Sequence, residues 1–221
     1  MNFFRLPHYM RSMRRVTEEK SSIVQRSALI GVAAAVALFI CAIIPSYSSA
    51  AAARSVDLTG TVFEQVGLEA NIDPRLLYAV ALCESAYNPD PSLGTVLPYP
   101  WVLRTGSAPF YGDDFFETKK VLIRYLAKSQ SVDVGMMQIN VKWHAHRVSD
   151  PVDLLDPLTN VRVGAEILNE LFDRYPNNAI KAIGLYHSGT PEKAARYGKT
   201  VWRVYSSLLE KFTGYKNYVI Q

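Results

Sequence analysis

Residues 73–85 read DPRLLYAVALCES, and this stretch shows how the chain is organised. Asp73 can cap a helix and Pro74 suits the first helical position, so a helix is expected to begin here. The apolar residues that recur at helical spacing are Leu76, Leu77 and Val80. They share a face with Glu84. The spacing therefore predicts a helix over 74–85 whose apolar face ends in a carboxylate.

The same start signal, a capping side chain followed by proline, recurs at Asp150-Pro151, Asp156-Pro157 and Thr190-Pro191. Hydrophobic spacing and these signals predict helices over 57–69, 74–85, 114–129, 138–146, 157–174, 178–187 and 191–212. No alternation of strands and helices appears, so the fold class is all-α or mainly α. One compact globular domain is expected over 54–215.

The segment 86–113 differs from the helical remainder. It begins with turn residues, NPDPS from Asn88, and continues with the short aromatic runs YPWVL and APFY. It is too aromatic for a disordered linker, and long ordered loops in compact domains are usually functional. We expect an aromatic loop or a small hairpin inserted between helices.

An export signal is predicted at the N-terminus. Residues 28–44 form an uncharged apolar run behind a basic flank, and small residues follow Pro45. We interpret residues 1–50 as a signal peptide or, alternatively, a membrane anchor through 28–44, which places the remainder in the periplasm. The formal charge of +4 lies entirely within residues 1–27, so it gives no reason to expect a nucleic-acid partner.

Glu84 is the leading candidate for catalysis. A carboxyl at the end of an apolar stripe is partly buried, and burial favours its protonated form. A carboxylic acid that stays protonated near neutrality is what glycoside cleavage requires of a general acid. Taken alone, Glu84 could equally be a glutamate at a helix end that faces water.

Two further segments carry polar side chains suited to sugars. In GMMQIN, methionines that shape apolar walls accompany Gln138 and Asn140, whose amides match sugar hydroxyls and N-acetyl groups. In AIGLYHSG, at 182–189, Tyr186 could donate its hydroxyl to the carboxyl of Glu84. The structural alternatives are a core segment with surface amides and a core tyrosine.

Together these segments resemble the signature motifs of the soluble-type lytic transglycosylase (SLT) family, which read E-S, G-L-M-Q and A-Y-N. The matching segments are Glu84-Ser85, GMMQIN at 135–140 and GLYHSG at 184–189. The resemblance spans roughly residues 60–210. A finer likeness, carried by the Trp101 loop, WHAHR and YHSGTP, is to the branch encoded with conjugative elements and type IV secretion systems.

The resemblance implies a lysozyme-like α domain with one catalytic residue, Glu84. It would protonate the oxygen linking N-acetylmuramic acid to N-acetylglucosamine in peptidoglycan. It would then take the proton of the C6 hydroxyl, which closes a 1,6-anhydro ring without water. Ser85 and Gln138 would contact the sugar or its peptide stem, Met137 would line the cleft and Tyr186 would hold Glu84. The implied substrate-binding set is Ser85, Met137, Gln138, Asn140, Tyr186 and His187. Secretion or conjugation proteins are the further partners implied.

Two departures from the family pattern keep alternatives open. The segment 86–134 is longer than in the simplest members, and His187 stands where the motif has asparagine. Retaining and inverting glycosidases need a second carboxylate. Asp133 is the best candidate, although a backbone cap for the following glycine is favoured for it. A water-using muramidase and a non-catalytic wall-binding scaffold therefore remain alternatives.

Neither a cofactor nor a metal ion is expected. His144 and His146 are two positions apart, so on a helix they point away from each other. Cys83 is interpreted as a small buried residue rather than a nucleophile. Among the tryptophans, Trp101 is the candidate for substrate contact and Trp202 is expected in the core.

Overall fold

Helices form most of the computed structural model, which describes residues 57–88, 96–106 and 108–211. In these residues the α-helices are α1 Val62–Ala70, α2 Pro74–Ser85, α3 Phe115–Leu126, α4 Val141–His144, α5 Pro157–Arg174, α6 Ala179–His187 and α7 Pro191–Lys211. Two 3₁₀ turns, Ala145–Arg147 and Pro151–Leu155, precede α5. The predicted mainly helical class is confirmed. The segment predicted as an export signal or anchor, residues 1–50, lies outside the described residues.

The start signals locate most helices correctly. The side chain of Asp73 accepts the backbone N–H of Arg75, and Asp156 and Asn178 cap α5 and α6 in the same way. The first helix was predicted from residue 57 but begins at Val62, because the Thr61 hydroxyl accepts the N–H of Glu64 and caps it there. The third ends at Leu126, before the predicted residue 129.

Short strands make up the non-helical part. A two-stranded sheet pairs β1 (Ala86–Tyr87) with β2 (Leu97–Pro98). A four-stranded antiparallel sheet has the order β4-β3-β5-β6. Its strands are β3 Val102–Arg104, β4 Phe110–Tyr111, β5 Asp133–Val134 and β6 Ile139–Asn140. The hairpin expected in 86–113 is thus present, as β3 pairs with β4.

The helix predicted over 138–146 begins later than expected, with an α-helix at Val141–His144 and a 3₁₀ turn at Ala145–Arg147. Gly135 has φ +77° and Gln138 has φ +47°, so a tight turn occupies 135–138 between β5 and β6. Both residues lie in the left-handed region, which excludes them from an α-helix. The helix starts only at Val141 and lasts a single turn. The pattern was misread because β6 is two residues long and runs directly into α4.

The side chain of Asn160, on α5, holds the tight turn at 135–138 in place. Its side chain is 1% exposed and makes three hydrogen bonds. Oδ1 accepts the N–H of Met137 at 2.8 Å, and Nδ2 donates to the carbonyl oxygens of Val134 and Leu154 at 2.8 and 2.9 Å. A Cβ on Gly135 would come within 2.3 Å of Nδ2, so the turn can sit this close only because residue 135 is glycine.

A buried polar cluster joins the first and last thirds of the domain. Asp73, which is 3% exposed, receives the Arg75 guanidinium at 2.5 Å and the Tyr205 hydroxyl at 2.9 Å. Since Asp73 caps α2 and Tyr205 belongs to α7, the cluster fixes the helix that carries Glu84 against the last helix.

In the part of the chain that the structure describes, no helix is both long and apolar enough to span a bilayer.

Candidate functional site

A polar cleft of about 360 Å³ opens where the end of α2 meets β5, β6 and α6. The predicted site residues that line it are Glu84, Gln138, Asn140, Tyr186 and His187. Asp133, the candidate second carboxylate, lines it as well. The fold therefore brings together residues that are about a hundred positions apart in the sequence.

Glu84 lies in the last turn of α2, and its side chain is 11% exposed. The apolar stripe predicted to bury this helix face is buried as expected, with Leu76, Leu77 and Val80 each at most 1% exposed. The exposed part of the carboxyl faces the cleft, where Oε1 lies 3.5 Å from Nδ1 of His187. A nearly buried carboxyl that still reaches a polar cleft has the environment of a general acid.

The interpretation of Asp133 as a backbone cap is wrong. The N–H of Gly135 donates to the Val102 carbonyl, whereas the Asp133 carboxylate accepts the Asn140 side chain at 2.7 Å. Burial raises the pKa of Asp133, and the nearby charge of Glu84 raises it further, against the lowering effect of the Asn140 hydrogen bond. A second carboxyl therefore stands in the cleft near Glu84.

We expect Asp133→Asn to raise the melting temperature at about pH 7 by about 2–4 °C and to change it little near pH 3. A carboxyl with a raised folded-state pKa contributes its stability below the unfolded value of 3.8, and this contribution is lost as the pH rises through the folded-state pKa. Asparagine keeps the acceptor for Asn140 and never ionises. Thermal melts across this pH range test the prediction, and an equal difference at every pH would contradict it.

Gln138 and Asn140 present hydrogen-bonding groups to the cleft. The Gln138 amide donates to the Gly135 carbonyl at 3.0 Å, and the amide oxygens of both residues are buried without a hydrogen-bond partner. Buried acceptors without partners are costly, so they favour a ligand that donates to them. The N–H of an N-acetyl group and the hydroxyls of a sugar are such donors.

The structure keeps Ser85 and Met137 out of the cleft, so their predicted contacts with substrate need correction. The Ser85 hydroxyl is buried, donates to the Ala81 carbonyl at 2.9 Å and accepts the N–H of Tyr99, which fastens the inserted segment to α2. Met137 is fully buried and its side chain packs against Gly164 of α5. Both residues therefore stabilise the elements around the cleft and do not line it.

Tyr186 lines the cleft, but its predicted hydrogen bond to Glu84 is not the one observed. Its hydroxyl donates to the Met137 carbonyl at 2.8 Å. Tyr186 thus joins α6 to the turn that carries Gln138.

His187 and Tyr197 form an arrangement beside Glu84 that the sequence did not reveal. Their rings stack 4.5 Å apart with an interplanar angle of 5°. The Tyr197 hydroxyl is buried without a hydrogen-bond partner, yet it is close enough to Glu84 for that charge to add to burial in raising its pKa. The helical spacing of Ala194, Tyr197 and Val201 was the available signal, and it indicated only a core position.

Three other predictions concern residues near the cleft. Trp101 lies edge-on to Tyr99 in an aromatic cluster of the inserted segment and does not line the cleft. Trp143, 65% exposed, lines it instead.

Cys83 was expected to be buried, but it is only half-buried and also lines the cleft. Burial raises the pKa of its thiol to about 11, so the unreactive thiol form prevails. Trp202 packs against the core, as expected.

Comparison with known proteins identifies a family and two relatives but no solved structure. The family model described as transglycosylase SLT domain matches residues 123–205. Invasion protein IagB of Salmonella typhi is 31% identical over 156 residues, which cover 66% of this chain and 76% of that protein. The peptidoglycan-binding-like protein of Escherichia coli O157:H7 is 30% identical over 159 residues, which cover 67% of this chain and 78% of that protein. No solved structure matches the chain.

Proposed function

Because the chain belongs to the transglycosylase SLT family and is a peptidoglycan lytic transglycosylase, we propose that Glu84 is the residue that cleaves the glycan strand. The observation that carries this proposal is the environment of its carboxyl, which is 11% exposed and faces a polar cleft. The target is the β-1,4 bond from N-acetylmuramic acid to N-acetylglucosamine. Gln138 and Asn140 offer amide oxygens that suit the N-acetyl groups of this polymer.

The proposed reaction uses Glu84 twice. First its carboxyl gives a proton to the glycosidic oxygen, and the bond from C1 to that oxygen breaks with its electron pair on the leaving sugar. The carboxylate then takes the proton of the C6 hydroxyl of N-acetylmuramic acid while that oxygen bonds to C1. The product ends in a 1,6-anhydro ring, and Glu84 recovers its proton.

A muramidase reaction is the second candidate, and Asp133 is the observation that favours it. Its carboxyl lines the same cleft and lies near enough to Glu84 for the charge to affect its pKa. A second carboxylate could hold a nucleophilic water or stabilise the positive charge that develops at C1. The hydrogen bond from Asn140 orients this carboxylate in the cleft.

Mass spectrometry of muropeptides released from purified sacculi distinguishes the two reactions. We expect products with 1,6-anhydro ends, which are lighter by one water than products with reducing ends. Asp133→Asn should leave the anhydro product as the main species. Reducing ends from the unaltered protein, lost in Asp133→Asn, would instead establish the muramidase.

Local opening of the cell wall for a secretion or conjugation apparatus is the process that we propose for this activity, and the periplasm is its proposed location. One relative is named an invasion protein, and the segments around Trp143 and His187 resemble the branch encoded with conjugative elements. The apolar run at 28–44 supports export of the chain or its anchoring in the inner membrane. Fractionation of cells that express the full chain tests the location, and recovery in the cytoplasm would contradict it.

A further inference from the structure

We propose that His187 is a positioning residue that shares one proton with Glu84 and supplies it for the cleavage, an inference that rests on the proposed role of Glu84. Nδ1 of His187 lies 3.5 Å from Oε1 of Glu84. In the family motif this position is an asparagine, which can hydrogen-bond but cannot carry a proton at these pH values. Histidine can carry one, so the substitution adds a titrating group beside the acid.

The surroundings hold the imidazole in the orientation that this exchange needs. The ring lies flat against Tyr197, which contacts its face. With the face stacked, Nδ1 faces the carboxyl of Glu84. The separation of 3.5 Å is an ion-pair distance and is longer than a hydrogen bond. Catalytic contacts are often long before substrate binds and tighten in the complex with substrate.

The charges around His187 favour its protonated form. Its interaction with Glu84 of α2 raises its pKa, and Asp133 of β5 acts in the same direction. Burial and the ammonium group of Lys193 on α7 lower it. Tyr197, also on α7, has a pKa raised well above 10, so its hydroxyl stays neutral and adds no charge. The net shift is upward, so His187 retains a proton above its ordinary range.

The proposed exchange returns every proton. Before cleavage, Nδ1–H of His187 gives its proton to Oε1 of Glu84. The Glu84 carboxyl then gives this same proton to the glycosidic oxygen, which leaves a neutral imidazole and a carboxylate. The carboxylate accepts the proton of the C6 hydroxyl and returns it to Nδ1. Because His187 holds the proton that Glu84 needs, the cleft stays competent as long as His187 is protonated. His187 thereby extends activity toward higher pH.

The first test measures the pair without substrate or turnover. The measurement is a pH titration followed by NMR, on the full chain in detergent micelles with isotope-labelled histidine. The chain has four histidines, and the signal missing in His187→Asn identifies His187. We expect its titration midpoint to lie above 6.5 and to fall in Glu84→Gln. As a matched control of opposite sign, Lys193→Gln should raise the midpoint. An unchanged midpoint in Glu84→Gln, or a fall in Lys193→Gln, would overturn the proposal.

The second test is the pH dependence of turnover. In His187→Asn we expect the alkaline limb of kcat/KM on sacculi to move to lower pH by about one unit, with an unchanged thermal melt at alkaline pH, where the imidazole is neutral. A uniform loss of activity at every pH would mean that His187 only binds substrate, and it would refute the shared proton. The NMR result separates this failure from a failure of the proposed function, because an inactive protein can still show the coupled titration.

Discussion

Glu84→Gln should lower the rate of glycan cleavage by at least about a thousandfold, to the background of a zymogram gel that contains peptidoglycan. General acid catalysis contributes about 10²–10⁴ to an enzyme rate, and here the same group would also act as the base. Glutamine has the shape of glutamate but cannot donate an acidic proton. Its side chain fits the same site at the end of α2, so the melting temperature should change by less than about 2 °C.

A surface glutamate provides the matched control. Glu69 of α1 is 43% exposed and pairs with Arg162, outside the cleft. Glu69→Gln should clear the gel as the unaltered protein does. If Glu84→Gln kept more than about a tenth of the activity, its role as the acid would be refuted. If the unaltered protein cleared no peptidoglycan under any condition, the non-catalytic scaffold would become the better interpretation.

Asn160→Ala should destabilise the domain by about 3–5 kcal/mol, the largest effect on stability that we predict outside the apolar core. The change removes three hydrogen bonds, so the N–H of Met137 and the carbonyls of Val134 and Leu154 lose their side-chain partner in the interior. Each unsatisfied buried group costs about 1–3 kcal/mol. For a domain of this size the melting temperature should fall by about 10 °C.

Asn169→Ala separates this effect from the loss of any asparagine on α5. Asn169 is half-buried and makes one hydrogen bond, to the Ala70 carbonyl at 3.0 Å. Its removal should cost about 1 kcal/mol. Calorimetry on both variants measures the contrast. Equal losses would show that the turn at 135–138 does not depend on Asn160.

The helices were the predictable part of the fold because their signals are local. Asp73 and Asp156 are followed by proline, and the predicted starts of α2 and α5 agree with the structure. The strands β5 and β6 were not predicted because two residues are too few to show alternation. Gln138 was placed in a helix because its left-handed φ depends on contacts with Asn160, which lies 22 positions further along the chain.

The candidate site was predictable to a similar degree. Glu84, Gln138 and Asn140 carry their chemistry in their own side chains, and all three line the cleft. Ser85 looked equally suitable, but its hydroxyl is used to hold Tyr99. Tyr197 could not be identified, because an aromatic residue on an amphipathic helix is typical of a core and its stacking on His187 is a tertiary contact.

The hydrogen bond from Tyr205 to Asp73 joins residues 132 positions apart, and this separation determines when the activity can appear. Contacts between distant parts of a chain form slowly, because the long loop between them must close first. The last helix also brings Tyr197 against His187, so this residue of the cleft has no stacking partner until that helix has docked. We therefore expect a chain still in synthesis, or one held unfolded, to be inactive. Activity should therefore appear only when folding of the domain is complete.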